Sequence, residues 1–116
     1  MLYQVVQGAV VSLSPTSLNF GNQTVGISSA PQTVMLQNIG NINLAIRSIQ
    51  VAGTNKGDFA QTNNCPSSLS PNNTCNIRAT FTPATTGTRD ATVTIKDNAP
   101  GSRQSVPLTG VGFYLR

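Results

Sequence analysis

The chain has 116 residues, of which 38% are hydrophobic and 9% are charged, so its composition excludes intrinsic disorder and allows one folded core. Its three acidic residues are all Asp and it contains no His, so it lacks a titratable pair for acid-base catalysis and an activated nucleophile. We therefore expect that the protein is not an enzyme and binds no cofactor. The polar residues are mainly Thr, Ser, Asn and Gln, which favours strands and turns.

The net charge of +4 reflects a shortage of acids. The cationic residues stand singly along the chain, without the runs that are typical of nucleic-acid binding. They are Arg47, Lys56, Arg78, Arg89, Lys96, Arg103 and Arg116. We therefore expect protein partners and no nucleic acid.

Residues 1–12 are apolar and form either an N-terminal extension or an extra strand. They lack the basic start and the cleavage pattern of a secretory signal, and they are too short to span a membrane. We expect no membrane insertion. Leu2, Tyr3, Val5 and Val6 in this segment are candidate subunit contacts. The alternative is that the segment extends the outer strands of its own domain.

Short alternating runs separated by turn residues follow, and no segment keeps a helical period. The early runs have their apolar positions at Leu13, Leu18, Phe20, Val34, Leu36, Leu44, Ile46 and Ile49. The clearest later run, residues 75–82, turns Ile77, Ala79 and Phe81 to one face. Together the runs predict an all-β fold.

The C-terminal third of the chain predicts a hairpin. Residues 89–96 turn Ala91, Val93 and Ile95 inward, after a turn at residues 83–88. Residues 97–102 then connect to a last strand near residues 104–110.

The number and spacing of these runs predict an immunoglobulin-like antiparallel β-sandwich of seven to eight strands. We place this domain at residues 13–112, followed by a C-terminal tail at 113–116.

Cys65 and Cys75 flank a short loop, and a metal site would need more ligands of the right type. We interpret the pair as a disulfide, which would place the protein in an oxidising compartment. The alternative is a pair of reduced thiols in the cytosol. We interpret Asp58, Asp97 and Asn98 as turn residues that bond their own backbone, and we expect no metal site.

Specific residues resemble those of the Hydin-type, or ASH, immunoglobulin-like domains, whose bacterial relatives are the choice-of-anchor D domains. The resemblance runs through Leu18-Asn19-Phe20-Gly21, Val25-Gly26, Asn38-Ile39-Gly40, Gly57-Asp58-Phe59, Cys65 with Cys75, Phe81-Thr82-Pro83, Ala91 to Ile95 and Leu108-Thr109-Gly110-Val111-Gly112. It implies a scaffold or interaction module without catalytic residues. The Cys pair looks like the bacterial extracellular branch of the family.

Apolar residues at turn-like positions, Ile27, Ile39 and Ile42, and the C-terminal residues Phe113, Tyr114 and Leu115 are further candidate subunit contacts. We therefore expect a non-catalytic subunit or module of an extracellular assembly. This assembly would be a virion surface component, a filament or a bacterial cell surface, in which the protein contacts copies of itself or other subunits.

Two alternatives remain open. One is a carbohydrate- or ligand-recognition module, although the chain has no Trp. The other is a ciliary or cytoskeletal targeting domain, which a reduced Cys pair would favour.

Overall fold

The computed structural model of the chain describes residues 8–100 and 103–114. These residues form strands and one short 3-10 helix, Lys56–Asp58, so the all-β fold class is confirmed. The strands are β1 (Val11–Ser14), β2 (Leu18–Thr24), β3 (Gln32–Asn38), β4 (Leu44–Ala52), β5 (Phe59–Asn63), β6 (Ser68–Leu69), β7 (Thr74–Phe81), β8 (Gly87–Asp97) and β9 (Arg103–Phe113).

The strands form two sheets that face each other. The four-stranded sheet has the order β1-β3-β7-β5, and the five-stranded sheet has the order β2-β9-β8-β4-β6. Apolar side chains alternate inward on both sheets, as the sequence predicts, because successive residues of a strand point to opposite faces. The buried residues of the two central strands β7 and β8 include Ile77, Ala79, Phe81, Ala91, Val93 and Ile95. The sandwich is therefore confirmed.

One strand pair corrects the prediction of a wholly antiparallel sandwich. β2 pairs with β9 in parallel, and Leu18 lies opposite Leu108. The reason is that the first strand divides between the sheets. β1 pairs with β3, and the chain then continues as β2 along the edge of the other sheet. This division and the two-residue strand β6 give nine strands in the described residues instead of seven to eight.

The predicted hairpin of β8 and β9 is confirmed, because the two strands pair antiparallel from Gly87 opposite Gly112 to Lys96 opposite Arg103. The connection between β7 and β8 is not a hairpin turn. β7 and β8 belong to different sheets, so residues 82–86 cross from one sheet to the other. The predicted turn at 83–88 is therefore too long by two residues, which begin β8.

Three phenylalanine rings fill the interior between the sheets. The Phe81 ring stacks on Phe59 with centroids 4.8 Å apart, and Phe20 contacts the same ring at 5.9 Å. Gly110 of β9 faces Phe81 across the interior, and a Cβ atom added to Gly110 would lie 2.7 Å from the Cδ2 atom of that ring. The ring therefore occupies space that only a glycine on β9 leaves open.

The disulfide between Cys65 and Cys75 is confirmed. Cys75 is a buried residue of β7, and Cys65 follows the edge strand β5. The bond therefore fastens the connection after β5 to the centre of the four-stranded sheet.

Substitution Gly110→Ala should lower the free energy of unfolding by about 1–3 kcal/mol, because the added methyl group overpacks the Phe81 ring. Chemical denaturation would measure the change. Gly57→Ala is the control, since a Cβ atom there meets nothing within 4 Å. Equal effects of the two substitutions would contradict the packing argument.

Reduction of the disulfide should lower the stability of the protein by about 3 kcal/mol, because the open loop gives the unfolded chain more conformations. The measurement compares denaturation midpoints with and without dithiothreitol. The variant Cys65→Ala/Cys75→Ala should start at the lower stability and should not respond to dithiothreitol. A response of this variant would show that the reductant acts elsewhere.

Candidate interaction surfaces

The chain enters the sandwich at one end and leaves it at the other. At the first end, residues 8–10 run beside the connection between β3 and β4, where Ile39 N donates to Val10 O at 2.8 Å. At the second end, β9 stops at Phe113 beside Thr24, and Val25 N donates to Phe113 O at 2.9 Å. We name the first end of the sandwich the proximal end (residues 8–10, 39–43 and 98–100) and the second the distal end (residues 25–28, 82–86 and 111–114).

A buried asparagine fixes the proximal end. The Asn38 side chain is fully buried, and its Nδ2 atom donates to Ile42 O at 2.8 Å and to Leu69 O at 2.9 Å. Its Oδ1 atom accepts from Gly40 N at 3.0 Å. Because a buried amide must satisfy its hydrogen bonds, this side chain holds the connection between β3 and β4 in one shape. Ile39 and Ile42 are each 52% exposed on that connection.

A tight turn fixes the distal end. Ile27 N donates to Thr24 O at 3.1 Å, and Gly26 adopts a φ of 81°, which other residues rarely adopt. Gly26 N also donates to Pro83 O at 2.9 Å in the crossover that joins the two sheets. The turn leaves Ile27 57% exposed.

A partly buried ion pair holds the crossover. Asp58 is 6% exposed, and its Oδ2 atom accepts from Arg89 Nε at 2.6 Å and from Ala84 N at 3.1 Å. Burial alone would raise the pKa of Asp58, but the hydrogen bonds from Arg89 and Ala84 and the charge of Arg89 outweigh it and lower the pKa overall. The ionised carboxylate therefore ties the 3-10 helix to β8 and to residues 82–86.

The predicted contact residues divide between the two ends. Ile39 and Ile42 lie together at the proximal end, whereas Ile27, Phe113 and Tyr114 lie at the distal end, where Tyr114 is 64% exposed. These contact residues therefore form two candidate surfaces. The remaining predicted contacts, Leu2, Tyr3, Val5, Val6 and Leu115, lie outside the described residues.

Sequence reasoning missed three features. Asn38 could have been found, because it continues the inward alternation of Val34 and Leu36. Val111 is exposed on the same face of β9 as Phe113, and the two-residue spacing could have found it. The third feature corrects the reading that the cationic residues are unclustered. Three of them, which we call the basic patch, meet on neighbouring strands: Arg47, Lys96 and Arg103.

Metal-ligating side chains do not converge on the described surface. Within residues 8–100 and 103–114, no three His, Cys, Asp or Glu side chains are close enough to share a metal ion. Asp97 Oδ1 accepts from Ala99 N at 2.9 Å, as predicted for a turn residue. The same prediction is wrong for Asp58 and Asn98, because their side chains accept from distant residues. None of the helices in the described part of the chain has the length and apolar character to cross a membrane.

The two facing sheets and the crossover between them define an immunoglobulin-like β-sandwich. The model of the family described as Cep192 domain 4 matches residues 9–113, so the chain belongs to that family. None of the curated proteins with which the chain was compared matches it.

Solved structures share the fold at low identity. The ASH/PapD-like domain 7 of human CEP192 has 15% identity and a TM-score of 0.65, with 100% of this chain and 98% of that one covered. A protein of unknown function from Porphyromonas gingivalis W83 has 16% identity and a TM-score of 0.74, with 94% of this chain and 49% of that one covered. The secreted serine protease VesC from Vibrio cholerae has 14% identity and a TM-score of 0.66, and the match covers 90% of this chain and 23% of that one.

The chain thus spans about half the length of the Porphyromonas protein and about a quarter of VesC. At these identities the likeness establishes the fold alone.

Substitution Asp58→Asn should destabilise the protein near neutral pH, by about 1–3 kcal/mol, because Arg89 loses a charged acceptor. The folded-state pKa of Asp58 is lowered below 3.8. The ionised carboxylate therefore stabilises the fold at pH values above the unfolded-state pKa, and this stabilisation is lost as the pH falls through the folded-state pKa. The difference in the free energy of unfolding between the wild type and the variant should therefore become smaller below about pH 4. Chemical denaturation at pH 7 and at pH 3 measures this difference, and an equal difference at the two pH values would contradict the ion-pair argument.

Proposed function

We propose that the protein is a non-catalytic interaction module that joins copies of itself end to end within an extracellular assembly. The observation that carries this proposal is the position of the exposed apolar residues. Ile39 and Ile42 stand where the chain enters the sandwich, and Ile27 and Tyr114 stand where it leaves. Apolar side chains held in water by ordered backbone are typical of surfaces that bind other proteins.

An end-to-end contact between unlike patches is heterologous. Copies joined in this way form a line, unless the rotation between neighbouring copies closes them into a ring. The proximal patch (Ile39 and Ile42) of one copy would cover the distal patch (Ile27 and Tyr114) of the next. Such a contact suits a filament or an elongated surface structure, either of a virion or of a bacterial cell. The fixed backbone at both ends lowers the ordering entropy that association costs.

The disulfide supports the extracellular location, because such bonds persist in oxidising compartments. Within the Cep192 domain 4 family, the same bond supports an assignment to the choice-of-anchor D branch of the ASH domains, as the sequence resemblance implies.

A ciliary or cytoskeletal targeting domain is the second candidate. Its support is the family match and the likeness to the human CEP192 domain, and the disulfide counts against it. The redox state of Cys65 and Cys75 in protein isolated under alkylating conditions discriminates between the two candidates. Reduced thiols would favour the second.

Two variants with complementary defects test the end-to-end contact. Ile39→Ser/Ile42→Ser removes the proximal patch, and Ile27→Ser/Tyr114→Ser removes the distal patch. Sedimentation velocity should show oligomers of the wild type that grow with concentration, and each variant alone should remain a monomer. A mixture of the two should form a one-to-one dimer and stop there, because each partner keeps one working end.

Met35→Ser is the control, since Met35 is exposed on the outer face of β3, away from both ends. It should assemble like the wild type. A monomeric wild type at millimolar concentration, or a mixture that fails to dimerise, would overturn the end-to-end proposal.

A further inference from the structure

The basic patch lies on the outer face of the five-stranded sheet. Lys96 of β8 is directly opposite Arg103 of β9, and Ser48 of β4 is opposite Lys96 on its other side. Arg47 is the additional residue of the β4 bulge between Ile46 and Ser48. All three cationic side chains are exposed.

The pairing within the basic patch opposes folding. Directly opposed residues of antiparallel strands have Cβ atoms about 5 Å apart, and like charges at that distance destabilise the sheet. No carboxylate of the described residues lies beside Lys96 and Arg103 on this face. Asp97 turns inward and is 4% exposed, and Asp90 lies toward the other end of β8, opposite Thr109. The patch is therefore an uncompensated positive site.

We propose that the basic patch binds an acidic segment of a different protein. A second copy of this chain is a poor source of carboxylates, because the sequence contains three acids in all. Asp58 and Asp97 are buried, so Asp90 is the single exposed acid of each copy. The partner must therefore bring its own negative charge, and it binds on the sheet face next to the proximal end.

The dimensions of the patch suit an extended peptide. Neighbouring strands lie about 4.8 Å apart, so three strands spread the cations over about 10 Å. An extended peptide covers that distance in about three residues, and the guanidinium groups of Arg47 and Arg103 can each hold a carboxylate through two hydrogen bonds. The surrounding side chains are short and polar, including Ser48, Thr94 and Ser105, and leave the face open to a flat ligand.

The same face is unsuited to nucleic acid. Single strands bind by stacking bases on aromatic side chains, and the positions that neighbour the patch on this face carry Ser, Thr and Gln. Three cations can neutralise about three phosphates of a duplex, which gives weak binding that fades quickly as salt increases. An acidic peptide is the occupant that the residues favour.

Fluorescence anisotropy with a labelled peptide of ten Glu residues tests the proposal at 50 mM salt. The wild type should bind, and Lys96→Thr/Arg103→Thr should bind on the order of tenfold more weakly. Lys56→Thr/Arg78→Thr is the matched control, because it makes the same change in net charge at two exposed cations outside the patch. It should keep the wild-type affinity within about twofold.

Equal losses in both variants would show that net charge and not the patch binds the peptide, and would overturn the proposal. Tighter binding of a DNA duplex than of the peptide, or no binding of either, would overturn it as well. Nuclear magnetic resonance of the wild type gives a test that needs no variant. The peptide should shift the amide signals of residues 47–49, 94–96 and 103–105, and shifts confined to other residues would contradict the site.

Discussion

The packing of Phe81 against Gly110 is the contact on which the distal end of the sandwich depends. The ring lies between the sheets and contacts Phe20 and Phe59, so it joins three phenylalanine rings in one cluster. The backbone of the same residue then orders the surface. Ser29 N donates to Phe81 O at 2.8 Å, and Phe81 N donates to the Ser29 hydroxyl oxygen at 2.9 Å. The segment that carries Ile27 is therefore fastened to a residue whose side chain is fully buried in the core.

A polar residue has the corresponding role at the proximal end. Asn38 is fully buried, and its hydrogen bonds to Gly40, Ile42 and Leu69 bring the connection after β3 and the strand β6 together. An apolar side chain at this position would fill the same space but would remove the hydrogen bonds that Asn38 makes to Gly40, Ile42 and Leu69. Both ends thus use an interior residue to fix an exposed isoleucine, by ring packing in one case and by amide hydrogen bonds in the other.

The sequence predicts the layers of this fold because alternation is a local property. The inward faces of β7 and β8, the hairpin of β8 and β9 and the disulfide all follow from residues close together in the chain. The parallel pairing of β2 with β9 could not be predicted in this way, because it joins strands about ninety residues apart whose own patterns are compatible with either direction. The basic patch was missed for the same reason. Arg47, Lys96 and Arg103 are separated in the sequence, and the register of three strands brings them together.

The end-to-end contact and the basic patch are linked through charge. Each copy carries a net charge of +4 and a single exposed acid, so copies that meet end to end repel each other over about a Debye length, roughly 8 Å in physiological salt. The apolar contacts at the ends must overcome this repulsion. An acidic segment bound to the basic patch lowers the charge of the copy that binds it, and so strengthens the end-to-end contact. By reciprocity, an assembled row of copies binds the acidic partner more tightly than a single copy does, and a partner with several acidic segments gains most from the row.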